Sequence, residues 1–221
     1  MIDIHTHIIP NVDDGSKSIL DSIEMIKQEM LQGIDTIICT PHYIHRRYEK
    51  SVDEIKEKYN LLVNKVKELN LNINLMLGQE ICYTPRVKII EMLKEHKLLT
   101  LNDTSYVLLE FSYHHEPEDI YDVIYNFRVN GYKVVVAHVE RYEWITIDKV
   151  RGLKSEGAII QINSGSIVGS NSKKEKRFVK KLLKLNLVDI IASDIHSFRP
   201  SSMQEALKKV KNEKLFEFEV I

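Results

Sequence analysis

The residue types with the most chemistry to offer in this chain are histidines and carboxylates, and they recur in short, regular spacings. Asp3, His5 and His7 alternate with Ile4 and Thr6 near the start, and Asp194 and His196 flank Ile195 far along the chain. In an extended segment, residues i and i+2 point to the same side, so a His-x-His pair can offer two imidazoles to one ion. Between these pairs stand His42 after Thr40-Pro41, Glu80 after Gly78-Gln79, Glu110, and His138. Each has an ordinary reading of its own: a turn histidine, a salt-bridged carboxylate, a buried and hydrogen-bonded imidazole, or, for His-x-His, chance. Asp13-Asp14-Gly15 adds two carboxylates, and simple turn chemistry leading into Ser16 is the alternative there. A mixed imidazole and carboxylate set without thiolates suits hard to borderline divalent ions such as Mn, Fe(II) or Zn. The ligands suffice for more than one ion.

Scattered candidates become a site only if the fold gathers them. Short apolar runs at Met1 to Ile4, Ile34 to Thr40, Ile73 to Gly78, Tyr106 to Phe111, Tyr132 to Ala137, Ala158 to Ile162 and Leu187 to Ser193 predict seven strands. Amphipathic stretches separate them. Ile19, Ile23, Ile26 and Met30 recur at helical spacing, as do Val52, Ile55, Tyr59, Leu62, Val66 and Leu69. Ser51 with Glu54 gives the second of these a capping-box start. Further helices are expected near Arg86 to His96, Glu118 to Asn130, Asp148 to Ser155, Lys173 to Leu185 and Ser202 to Lys211. Strands that are apolar throughout and alternate with helices predict a parallel sheet, either open and doubly wound or closed. Asp3, His5, His7, His42, Glu80, Glu110, His138, Asp194 and His196 then fall at the C-terminal ends of strands, with Asp13-Asp14 in the loop past the first. In a closed parallel barrel those ends share one rim, where active sites are built, and this favours the α/β barrel.

Composition narrows the functional classes. With 221 residues, 31 Lys plus Arg against 32 Asp plus Glu, and a net charge of -1, the chain is no polybasic nucleic-acid binder, and 43% hydrophobic residues exclude disorder. One domain spanning 1–221 is expected. The N-terminal residues carry no basic and apolar leader pattern, and no run approaches the ~18 apolar residues of a membrane span. A cytoplasmic location and no membrane insertion are therefore expected, and Cys39 and Cys82 as the only cysteines fit a reducing compartment. Neither cysteine has an arginine six positions on, so cysteine-based phosphatase chemistry has no nucleophile; His45 and Lys88 stand there instead. The Gly165 to Lys173 segment lacks the order of a phosphate-binding loop. His45, Arg46, Arg47 and Tyr48 form a basic, aromatic loop just past His42, readable as a solvated loop or as a wall for a phosphopeptide. The Lys173 to Arg177 run reads as a solvated helix face.

Asp3-Ile-His5-Thr-His7, Thr40-Pro41-His42, Gly78-Gln-Glu80, Ala137-His138 and Ser193-Asp194-Ile-His196 resemble the ordered motifs of the polymerase and histidinol phosphatase (PHP) superfamily. Asn11-Val-Asp-Asp14-Gly15-Ser16, Gly78-Gln-Glu80-Ile and Ala137-His138-Val-Glu-Arg141-Tyr142 are similar to those of its bacterial metal-dependent protein tyrosine phosphatases, encoded with capsule and exopolysaccharide systems. The resemblance covers nearly the whole chain. It implies a distorted (β/α)7 TIM-like barrel with about three divalent ions on its rim, Mn first and Fe or Zn as alternatives. One ion would be held by His5, His7, Glu80 and Asp194, a second by Glu80, Glu110 and His138, and a third by Asp14, His42 and His196. It further implies two phosphate-binding arginines, matched by Arg141 and by Arg199 in a shorter loop, while Arg46, Arg47 and Tyr48 stay candidates for substrate contact on the reading of their loop alone. The activity implied is hydrolysis of phosphotyrosine by a metal-activated hydroxide, with the tail of a cytoplasmic bacterial tyrosine kinase as substrate protein. The alternatives are another PHP phosphoesterase, such as a histidinol phosphatase or a small nucleotide phosphatase, and a non-catalytic metal-binding assembly module.

Overall fold

Nine short strands and eight α-helices alternate along residues 1–210, which are the residues that the structure, a computed structural model, describes. The predicted end of the last helix at Lys211 lies outside them. The strands are β1 (Ile2–Thr6), β2 (Thr36–Cys39), β3 (His42–Tyr43), β4 (Asn74–Leu77), β5 (Glu80–Cys82), β6 (Tyr106–Glu110), β7 (Lys133–Val136), β8 (Ile159–Asn163) and β9 (Ile190–Ala192). All of their pairings are parallel, in the orders β1-β2-β4 and β3-β5-β6-β7-β8-β9.

The strand expected over 34–40 continues past a break as β2 and then β3, and that over 73–78 as β4 and then β5. The breaks have local causes. Pro41 has no N–H to give to a ladder. Gly78 lies so close to its neighbours that an added Cβ would stand 2.8 Å from Leu101 Cδ2. The two breaks pair with each other: Gly78 N–H donates to the Cys39 carbonyl at 2.8 Å and Glu80 N–H to the Pro41 carbonyl at 3.1 Å. The last strand returns to the first through a parallel bridge between Thr6 and Ile195, with Asp194 N–H donating to His5 C=O at 3.0 Å and His7 N–H to Ile195 C=O at 3.1 Å.

Side chains on these strands divide by alternation into two apolar clusters. Ile4, Ile38, Leu108, Val135, Ala137, Ile190 and Ala192 form a small inner one. Ile37, Cys39, Val107, Leu109, Val134, Val136, Ile160, Ile162 and Ile191 face the helices in the large one. The apolar runs are thus apolar because both faces are covered.

The helices are α1 (Ile19–Leu31), α2 (Val52–Glu68), α3 (Ile89–Lys94), α4 (Ile120–Val129), α5 (Ile147–Ser155), α6 (Ser164–Val168), α7 (Lys173–Lys184) and α8 (Met203–Lys209). The Ser51–Glu54 capping box is present, and Ser18, Thr146 and Ser172 cap α1, α5 and α7 through their hydroxyls. α3 is shorter than the expected 86–96, and α6 follows β8 where no helix is expected. Among the described residues no helix is long and apolar enough to cross a membrane.

Candidate metal centre

All nine candidate ligands converge at one end of the parallel strands. They form four overlapping groups: His7, Asp14, His42 and His196; His5, Glu80 and His138; His5, His7 and Asp194; His42, Glu80 and Glu110. Among the described residues no other His, Cys, Asp or Glu joins such a group. Eight of the nine are buried, and Asp14 is partly exposed. Glu80 lies at the middle. Its Oε2 is 3.2 Å from His5 Nε2, 3.2 Å from His7 Nε2 and 2.9 Å from His42 Nδ1, and its Oε1 is 2.9 Å from His138 Nε2. Asp194 Oδ1 stands 3.7 and 3.6 Å from His5 and His7 Nε2. Glu110 lies 3.8 Å from both His42 and His138, while Asp14 faces His42 Nε2 at 3.5 Å and His196 Nε2 at 3.7 Å.

Three of the five imidazoles are held from behind so that one nitrogen of each faces inward. His7 Nδ1 meets Asp13 Oδ2 at 2.8 Å, His5 Nδ1 meets Gln161 Oε1 at 3.1 Å, and His196 Nδ1 meets the Asp194 carbonyl at 3.0 Å. Each partner accepts only, so Nδ1 carries the proton and Nε2 presents a lone pair. This is the way histidine ligands are oriented around an ion. Gln161 Oε1 also takes the His138 N–H, its Nε2 donates to Asn163 Oδ1, and Asn163 Nδ2 donates to Asp194 Oδ2 at 2.7 Å. Asp13 additionally accepts from the Gly15 and His42 N–H groups, each at 2.9 Å. Gly15 is required here, because a Cβ would fall 2.0 Å from the His7 carbonyl oxygen. His138 and Asp194 both sit at left-handed φ, 30° and 52°, a conformation non-glycine residues adopt only where the surroundings enforce it.

The donor set fits a divalent cation. Glu80 Oε2, His42 Nδ1 and Asp14 Oδ1 are buried without a hydrogen-bond partner, although each lies close to other ligand atoms. His5 and His7 turn their Nε2 atoms toward each other at 3.2 Å, lone pair against lone pair. Such an arrangement is costly unless a proton or a cation lies between the groups. Burial alone would lower the basicity of His5, His7 and His42, yet the carboxylates of Glu80, Asp194 and Asp13 override it and raise all three. Burial opposes ionisation of Glu80 too, but His5, His42 and His138 hold it well below the usual carboxylate range. Glu110 is pushed up to about 7 by burial and by Glu80, and His138 down to about 4 by burial and Arg141.

Both candidate arginines reach the cluster. Arg141 Nη1 donates to Asp194 Oδ2 at 3.2 Å with its guanidinium over the Tyr113 ring, 4.4 Å from the centroid. Arg199 Nη1 donates to the same Oδ2 and to the Asp194 carbonyl. Of the recognition loop, Tyr48 stacks on His42 with centroids 6.0 Å apart, whereas Arg46 and Arg47 are exposed, Arg47 over the Tyr48 ring. Asp3 joins none of the ligand groups. It accepts from Ser193 N–H and His5 N–H and ties the last strand to the first.

The sequence profile of the capsular polysaccharide synthesis family CpsB/CapC matches residues 1–217. The chain belongs to this family. YwqE of Bacillus subtilis strain 168, a tyrosine-protein phosphatase, is 36% identical over 217 residues, covering 96% of this chain and 85% of that protein. A solved structure from the pair YwqE of Bacillus subtilis and CpsB of Streptococcus pneumoniae, described as metal-dependent tyrosine phosphatases, superposes with a TM-score of 0.90 at 37% identity, covering 96% of this chain and 86% of that one. The histidinol phosphate phosphatase of Lactococcus lactis shares the fold, with a TM-score of 0.63 at 16% identity over 97% of this chain and 96% of that one. CpsB/CapC membership carries the PHP-type reading of the motifs through to the whole chain.

Gln161, Asn163 and Tyr113 support the centre but escape a search for ligands, and Asp13, offered beside Asp14 as a carboxylate, holds His7 from behind instead of joining a ligand group. The Gln161-Ile-Asn163 pair repeats the i, i+2 spacing of Asp194-Ile-His196, and polar residues in an apolar strand were the available signal.

Proposed function

We infer that this chain is a metal-dependent protein tyrosine phosphatase, on the strength of one observation above all. Three imidazole nitrogens converge on a buried, unpartnered carboxylate oxygen, Glu80 Oε2, in a chain of the CpsB/CapC family. The parallel bridge from Thr6 to Ile195 and the inner apolar cluster support a closed, distorted (β/α)7 barrel, and we read 1–221 as a single domain. The resemblance divides the ligands among three sites, and the overlapping groups keep all nine in one cluster. His5, His7, Glu80 and Asp194 would hold one ion, Glu80, Glu110 and His138 a second, and Asp14, His42 and His196 a third, with Glu80 shared. Oxygen and imidazole donors without thiolate favour Mn, with Fe or Zn next.

When bound, such ions acidify water near neutral pH and offset charge on a phosphoryl group. The chain's own residues then have separable roles. Asp13, Gln161 and the Asp194 carbonyl hold the histidine ring protons outward. Arg141 and Arg199, both resting on Asp194, donate to phosphate oxygens when substrate enters, and the fork of each matches two oxygens at once. Tyr113 under the Arg141 guanidinium keeps it aimed at the cluster. Tyr48, with Arg46 and Arg47 beside it, forms a wall for the peptide. No cysteine takes part: burial raises the Cys82 thiol to about 12 and the Cys39 thiol further.

The substrate is a phosphotyrosine protein, and the capsule connection of the family supports the tail of a cytoplasmic tyrosine kinase. The test is a substrate panel on one metal-loaded preparation: phosphotyrosine peptide, phosphoserine peptide, histidinol phosphate and a nucleoside monophosphate. The phosphotyrosine peptide is expected to have the highest kcat/KM by at least tenfold. A preference for histidinol phosphate or the nucleotide would assign another PHP phosphoesterase, and no turnover with full metal occupancy would leave a binding module.

A further inference from the structure

Helix α7 carries seven cationic residues among its twelve and one acid, Glu175, on a chain whose net charge is -1. All seven are exposed, and among the described residues none forms an ion pair. Seven like charges on three turns repel one another, so the helix carries a standing electrostatic cost that an anionic partner would relieve.

The charges fall into two stripes. Lys176, Lys180 and Lys184, four residues apart, lie toward α8 with Lys209. Lys174, Arg177 and Lys181, at i, i+3 and i+7, line a groove of about 290 Å³ whose other wall is the segment after β7, with Tyr142, Ile145 and Phe178 supplying apolar surface. That segment opens with the Val139–Arg141 turn, against which α7 packs and which carries Arg141 to the metal centre. α7 also begins at the ligand-bearing end of the strands, since it follows β8 and α6 and runs back to β9. Two carboxylates line the groove as well. Glu140 is buried and accepts from the Asn163 N–H, and Glu143 is exposed, pairs with His114 at 3.1 Å and also feels Lys174. Against this one exposed acid the three cations leave the wall net positive.

We propose that the groove between α7 and the 139–145 segment is a docking site for an anionic peptide segment flanking the phosphotyrosine of the substrate, held by Lys174, Arg177 and Lys181. This rests on the phosphatase reading and adds a preference to it: acidic or multiply phosphorylated stretches of chain are bound and turned over in preference to neutral ones. Apolar contacts with Ile145 and Phe178 favour a peptide over a membrane surface. A flat bilayer would meet both stripes of the helix equally, whereas a narrow segment fits one.

The experiment compares metal-loaded wild type, the combined Lys174→Glu, Arg177→Glu and Lys181→Glu variant, and a control with Lys176→Glu, Lys180→Glu and Lys184→Glu. Alanine versions of each set, checked by thermal unfolding, guard against a folding defect. Substrates are a phosphotyrosine peptide with acidic flanks, one with neutral flanks, and a small aryl phosphate without flanks. Wild type is expected to favour the acidic peptide about tenfold in kcat/KM at low salt, with the preference fading as salt rises. The groove variant should lose that preference while keeping its rate on the aryl phosphate, and the control should keep both. Fluorescence anisotropy of the unphosphorylated acidic peptide gives the same ranking without catalysis. If wild type turns over no phosphotyrosine substrate, the phosphatase reading fails, and the anisotropy still decides the docking site. Equal rates on both peptides, equal losses in both variants, or binding of phosphatidylglycerol vesicles with no effect on peptides would overturn the proposal.

Discussion

Replacing Asp13 tests how the centre is held without touching a ligand. Its carboxylate takes three donors at once: His7 Nδ1–H at 2.8 Å and His42 N–H at 2.9 Å on Oδ2, and Gly15 N–H at 2.9 Å on Oδ1. Asp13→Ala strands three part-buried donors, each worth about 1–3 kcal/mol if no water replaces the acceptor. A loss of about 3–9 kcal/mol in folding stability follows, enough to obscure any reading of metal affinity. Asp13→Asn is therefore the sharper perturbation. The amide oxygen can still serve His7 and His42, which keeps the tautomer, but the NH2 then faces the Gly15 N–H and the negative charge is gone. The fold should survive with about 1–3 kcal/mol lost. Metal affinity should fall by ~10–100-fold, the usual consequence of removing the partner behind a histidine ligand. Calorimetric titration of the metal-free protein, with thermal unfolding of the same sample, reads both quantities. Wild-type affinity in Asp13→Asn would refute the argument that Asp13 orients His7.

Three further outcomes follow from the same geometry. Glu29 on α1 is buried with neither oxygen hydrogen-bonded, and burial beside Asp3 raises its carboxyl to about 8; a raised acid favours the folded state while protonated and loses that advantage as pH climbs toward 8. Glu29→Gln should thus raise the melting temperature at pH 8 and change it little at pH 5, and an equal shift at both values would contradict the assignment. His5, His7 and His42 are raised above 6.5, so in the metal-free protein their stabilising contribution is full below that pH and is lost as pH rises through the raised values. They must also shed protons to ligate, so metal titrations at pH 7 in buffers of different ionisation enthalpy should report more than one proton released per protein; none released would mean the histidines were already neutral. Arg141→Ala and Arg199→Ala, assayed separately, should each slow turnover by ~10²–10³ with metal content unchanged, and joint loss of metal and activity would make the arginine structural instead.

The His5-x-His7 spacing is readable because strand geometry carries i and i+2 to one side, whereas Asp194-x-His196 shares the spacing but lies past β9 with Asp194 at φ 52°, so there the turn and not the strand aims the pair at the same pole. The breaks at Pro41 and Gly78 were harder. Each interrupts the ladder for one or two residues while the apolar run continues, so periodicity passes over them. Helix α3 fell short of its expected range because Thr84-Pro85 and the loop around His96 at φ 55° bound it more tightly than its apolar residues indicate. Gln161 and Asn163 went unnoticed as parts of the site because their role is relational: each matters only through the His5, His138 and Asp194 groups that the fold brings beside it. The exposed Arg46 and Arg47, by contrast, show why a basic loop next to a ligand says little by itself, since only Tyr48 of that loop touches a ligand.

Metal content and phosphotyrosine hydrolysis measured on the same preparation, before and after exhaustive chelation, test the central claim most directly. The account predicts that activity disappears with the metal, returns with Mn(II), and is indifferent to thiol alkylation, since Cys39 is buried and both thiols resist ionisation. Hydrolysis that persists in fully metal-free protein and stops on alkylation would contradict it.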